Sequence, residues 1–99
     1  MKTYSGDFPI AVHPGEILQE MLEEHGLNQA KLARHLKTVP SKINEICKGR
    51  RGITAEMAVI LGKTFSISPS TWLTLQKNWE LSQIDESVAQ KIGALRLRA

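Results

Sequence analysis

The sequence predicts an all-α fold of five helices with a helix-turn-helix at its centre. Three observations carry that expectation. Apolar residues recur at three- and four-residue spacing through most of residues 13–81. A capping residue or a proline stands at the start of each of these runs. Two of the runs are short and are joined by only Lys37, Thr38 and Val39. No segment alternates as a half-buried strand does, and there is no internal repeat or low-complexity tract.

Residues 1–12 have no helical period and contain Gly6 and Pro9, so they read as an amino-terminal arm outside the domain. Pro14 then suits a first helical position and Glu16 a first turn. Ile17, Leu18, Met21 and Leu22 form one stripe, closed by Gly26, which predicts a helix over 14–25. Asn28 is a good N-cap for a second helix over 29–36, with Leu32, Ala33 and Leu36 on one face. Pro40 opens a third whose inward side is Ile43, Ile46 and Cys47, stopped by Gly49. Thr54 caps a fourth with Met57, Ala58, Leu61 and Phe65 inward, and Ser68-Pro69 opens a fifth carrying Trp72, Leu75 and Trp79. In residues 82–99, Ile84, Val88, Ile92 and Leu95 share a further helical stripe, which predicts an extra carboxy-terminal helix that Gly93 weakens.

Length and composition exclude several classes. A 99-residue chain with 41% hydrophobic residues can bury one modest core without metals or disulfides. Cys47 has no partner for a disulfide, and with three scattered histidines it offers no zinc-ligand spacing. No cofactor, metal or membrane span is expected, and the absence of a signal-peptide pattern predicts a cytoplasmic protein. An enzyme is also disfavoured, because the sequence has no nucleophile elbow, phosphate loop or clustered acid/base pair.

Charge is unevenly placed. Residues 1–26 carry Lys2 against Asp7, Glu16, Glu20, Glu23 and Glu24, a net −4, whereas residues 27–63 carry a net +6. A solvated surface can segregate charge in this way, but the excess coincides with the helix-turn-helix. In that motif the first helix crosses the DNA backbone and the second enters the major groove. With Ile43 and Ile46 inward, the third helix turns Ser41, Lys42, Asn44, Glu45 and Lys48 outward. Asn can pair bidentately with adenine, Lys can reach guanine or a phosphate, and Glu can accept from cytosine. A carboxylate there opposes the phosphates, so Glu45 would serve discrimination, not affinity. Gln29, at a helix start, suits a phosphate contact, and Arg50 and Arg51 between two glycines suit clamping the backbone.

The run Ile43-Asn44-Glu45-Ile46, then Gly49-Arg50-Arg51-Gly52-Ile53-Thr54-Ala55-Glu56-Met57-Ala58, then Ser68-Pro69 with Trp72-Leu73-x-Leu75-Gln76, resembles the HigA/VapI antitoxin family. So does the opening His13-Pro14-Gly15-Glu16-Ile17-Leu18, and the resemblance spans residues 13–81. That family belongs to the lambda-repressor-like helix-turn-helix class. It implies a homodimer that represses its own operon at a palindromic operator. It also implies that the chain binds and silences a HigB-type toxin, a RelE-like mRNA endonuclease. The alternative is a stand-alone repressor with no toxin partner. The chain departs from the family in the turn: where a glycine and then an apolar residue are usual, it has Lys37 and Thr38. A left-handed conformation at Lys37 would cost about 1 kcal/mol.

Other residues have plainer readings. Trp72, Leu75 and Trp79 are read as core or dimer packing in preference to base stacking. Cys47 is read as an apolar filler in preference to a redox sensor. His13, His25 and His35 are read as caps or surface residues. The acids of the first helix are a solvated face or, alternatively, a surface for a basic toxin.

Overall fold

The computed structural model describes residues 11–96, and within them every regular element is helical. Five α-helices follow in order: α1 Pro14–Glu24, α2 Gln29–His35, α3 Pro40–Cys47, α4 Ala55–Phe65 and α5 Pro69–Ser82. The five helices expected over residues 13–81 are present, and α1 and α2 each end one residue before the expected position. The arm assigned to residues 1–12 lies almost wholly outside the described residues.

The stripes converge on one core. Leu18 and Leu22 of α1, Leu32 and Ala33 of α2, Ile43 and Ile46 of α3, Met57, Ala58 and Leu61 of α4, and Trp72 of α5 are all buried. Helix α2 packs on α3, α4 on α5, and α1 lies across both α3 and α5. Helix α3 is therefore held from two sides. The turn before it adopts the costly geometry expected, with Lys37 at φ 58°. Gly26 and Gly49 end their helices at φ 64° and 76° as C-terminal stops. Ser66, which nothing in the sequence marked, ends α4 at φ 57°.

The carboxy-terminal expectation fails. In place of a helix carrying Ile84, Val88, Ile92 and Leu95, the chain makes one 3-10 turn, Glu86–Ala89, capped by Asp85. All four apolar side chains are exposed, at 49% to 84%. An isolated segment of this length gains too little from helical hydrogen bonds to offset nucleation, and the described residues offer the stripe no surface to pack on.

His13 is a cap, as expected, but it is buried. Its Nδ1 accepts from the Gly15 N–H at 2.9 Å, and its ring meets the Trp79 ring edge-on, with centroids 4.7 Å apart. Burial holds its pKa below the ordinary value, and the Glu16 carboxylate opposes that shift in part. Nδ1 must stay unprotonated to accept, so the unfolded chain takes up the proton first as pH falls. The contribution is complete above the unfolded pKa of about 6.5 and is lost as pH falls from there toward the lower folded value. Urea midpoints measured from pH 7.5 to 5.5 are therefore expected to fall. His13→Asn, which can cap without titrating, is expected to flatten that slope; an unchanged slope would remove His13 as its source.

Candidate nucleic-acid interface

Helix α3 is short because its start and stop are local. Pro40 supplies the first-turn geometry and Gly49 the left-handed exit, and Ile43 and Ile46 lock the helix to the core between them. Ser41, Asn44, Glu45 and Lys48 then fall at helical spacing on the opposite face, with Lys42 on its flank. Ser41 and Lys48 are exposed, as are Arg50 and Arg51 in the following loop, whereas Lys42, Asn44, Glu45 and Gln29 are half-buried.

Two pairs among the expected residues come together. Asn44 Nδ2 donates to Gln29 Oε1 at 3.0 Å, which ties the middle of α3 to the first residue of α2. Gln29 Nε2 in turn donates to Gln19 Oε1 at 3.1 Å, and Gln19 Nε2 donates to Glu23 Oε2 at 3.2 Å. The Asn44 amide spends one N–H on Gln29. It keeps its second N–H and its carbonyl, the donor and acceptor that bidentate pairing with adenine needs. Gln29 is thus a support for Asn44 as well as a candidate phosphate contact.

The second pair is Arg51 with Glu45, whose carboxylate accepts from the guanidinium at 2.8 Å. The backbone N–H groups of Arg50 and Arg51 also donate to the Glu45 carbonyl, at 2.9 and 3.2 Å, so the basic loop folds back over the end of α3. Such an exposed ion pair contributes little stability. It does mask the carboxylate that would otherwise repel phosphates. Among the described residues the side chains of Ser41, Lys42, Lys48 and Arg50 make no hydrogen bond or ion pair.

The loop is placed by a residue to which sequence reasoning assigned no role. Gln76 of α5 is buried, and its Oε1 accepts from the Ile53 N–H at 2.7 Å, while its Nε2 donates to Glu80 at 2.8 Å. Gly52 lies so close that a Cβ there would stand 2.8 Å from Gln76 Nε2. Arg50 and Arg51 are therefore anchored through Ile53 to α5. The available signal was a glutamine on the apolar side of α5, directly after Leu75.

The remaining candidates sort by burial. Trp72 is core, while Leu75 and Trp79 are partly buried, Trp79 against His13. None of the three is fully exposed for base stacking. Cys47 packs at the edge of the core, and burial pushes its thiol pKa up, away from the reactive thiolate. Among the described residues no three His, Cys, Asp or Glu side chains are grouped to hold a metal, and no helix is long and apolar enough to cross a membrane.

A family model described as a helix-turn-helix domain matches residues 15–79. Virulence-associated protein I of Dichelobacter nodosus is 42% identical over 77 residues, covering 77% of this chain and 71% of that protein. Two solved structures from Pseudomonas aeruginosa are similar. PA4674 in complex with its 28-base-pair operator DNA is 35% identical with a TM-score of 0.80, over 87% of this chain and 100% of that one. The antitoxin HigA with the higBA promoter is 38% identical with a TM-score of 0.75, over 84% and 91%. Proteins of this kind bind DNA and are not enzymes. By the family match, the identities and the shared helix-turn-helix fold, this chain belongs to the HigA/VapI family of helix-turn-helix antitoxins.

Proposed function

We propose that this protein is the antitoxin and autorepressor of a type II toxin-antitoxin pair in the cytoplasm. Residues 13–81 form its DNA-binding domain, preceded by the arm 1–12 and followed by the segment 82–99. Two copies bind a palindromic operator, each placing α3 in the major groove with α3 centres about 34 Å apart. Ser41, Lys42, Asn44 and Glu45 address base edges, and Gln29, Lys48, Arg50 and Arg51 address phosphates. The observation that carries this reading is the outward face of α3. Its reader amide is pre-positioned by Gln29, and it is flanked by free basic side chains, in a fold whose relatives have been solved on operator DNA. The exposed Leu81 and Ile84, beside Lys77 and Glu80 at the end of α5, offer a self-complementary surface for the dimer. The second partner is a HigB-like mRNA endonuclease, which the chain silences by binding it.

Each partner has its own test. Footprinting on the DNA upstream of the chain's own reading frame defines the operator, and anisotropy titrations at several salt concentrations then compare variants. Each phosphate-contacting Lys or Arg replaced by Ala is expected to reduce the salt slope by about one. Asn44→Ala is expected to cost about 1–3 kcal/mol of sequence discrimination. Binding that stays equally tight and selective in an Asn44→Ala, Lys48→Ala double variant would remove α3 as the reader. For the toxin, the tagged chain is co-expressed with the product of the adjacent small reading frame. A stable complex with rescue of growth is the expected result, whereas absence of both complex and toxicity would leave a stand-alone repressor.

A further inference from the structure

The reading helix differs from every other helical segment described in how it starts. His13, Asn28, Thr54, Ser68 and Asp85 each cap their helix with a side-chain acceptor. At the same position of α3 stands Val39, with no capping hydrogen bond and 58% of its surface exposed. A serine there would add the missing cap, so the valine forgoes stability and also leaves two methyl groups in water. It is held rigidly: Pro40 follows it and confines it to the extended conformation, seen at φ −90° and ψ 143°. It sits one turn before Lys42 and Ile43, at the amino end of α3, the end that reaches base edges when such a helix enters the major groove.

We propose that Val39 is a specificity residue that reads a thymine C5 methyl group in each half-site of the operator. The chemistry is apolar contact between the valine methyls and the one apolar group that the major groove displays. It complements the amide of Asn44 nearer the middle of the helix, so that one helix reads both a hydrogen-bonding edge and a methyl. β-Branching leaves Val39 few rotamers, so little side-chain freedom is lost when the contact forms.

This inference rests on α3 being the DNA reader, and the experiment separates the two. On the footprinted operator, each symmetry-related pair of thymines is replaced by deoxyuridine, which lacks only the C5 methyl. One pair is expected to weaken wild-type binding by about four-fold per half-site, the factor that burial of about one methyl supplies. Val39→Ser, which can restore a helix cap and so is expected to fold, should bind the two DNAs equally. The proposal is overturned if wild-type binding is indifferent to every thymine methyl, or if Val39→Ser keeps the full penalty. Loss of all operator binding in the wild type would overturn the DNA reading itself, which is a different result from methyl indifference.

Discussion

Gly15→Ala is expected to destabilise the protein by about 3 kcal/mol or more, far beyond the usual cost of alanine in a first helical turn. Gly15 is buried where the start of α1 crosses the end of α3. A Cβ there would penetrate the Ile46 carbonyl oxygen, stand 2.7 Å from the carbonyl carbon and touch Cys47 Cα at 3.0 Å. These are backbone atoms of α3, so no side chain can swing aside. Either α1 lifts from α3, exposing Leu18, or α3 shifts and carries Asn44 away from Gln29. Urea unfolding checks the stability, and operator titration of the folded fraction checks the shift. Gly26→Ala is the control: its Cβ would meet nothing within 4 Å, and only its positive φ carries a cost, about 1 kcal/mol. A Gly15→Ala midpoint within about 0.5 kcal/mol of the wild type would refute the close approach of α1 and α3.

Trp72→Ala is expected to cost about 3–5 kcal/mol, a large part of the roughly 5–15 kcal/mol that holds a domain of this kind together. Trp72 is 1% exposed and among the largest fully buried side chains, on the helix that packs closely on α4. Truncation leaves a cavity that rigid helices on several sides cannot close. Trp72→Phe, which keeps most of the ring volume, is expected to lose clearly less. Trp79 remains in both variants as a fluorescence reporter, partly exposed against His13, so chemical unfolding can be followed without a new probe. Equal losses for the two substitutions would mean that ring volume is not what the site uses.

The five helices were legible because their signals are local. Pro14, Pro40 and Pro69 open helices, Asn28, Thr54 and Ser68 cap them, and Gly26 and Gly49 stop them, all within a turn of the boundary they set. The candidate DNA face was legible for a related reason. Once Ile43 and Ile46 point inward, helical geometry alone dictates that Ser41, Asn44, Glu45 and Lys48 point out. The strained Lys37 was also readable, because it stands where a short turn between two helices calls for a glycine.

What the sequence hid lies between elements distant along the chain. Gln76 bonds to Ile53 from 23 residues away, Asn44 to Gln29 from 15, and Gly15 meets the backbone of Ile46. A residue's type tells what it can donate, accept or fit, but the partner is chosen only when helices pack, and no periodicity records that choice. The failed carboxy-terminal helix has the same cause in reverse. Ile84, Val88, Ile92 and Leu95 have the right spacing, yet spacing stabilises a helix only when a surface receives its apolar face, and the described residues provide none. Local chemistry determined where the five helices start and stop and which side of α3 faces solvent. Packing decided how the basic loop is anchored, how Asn44 is held, and which apolar residues stay uncovered.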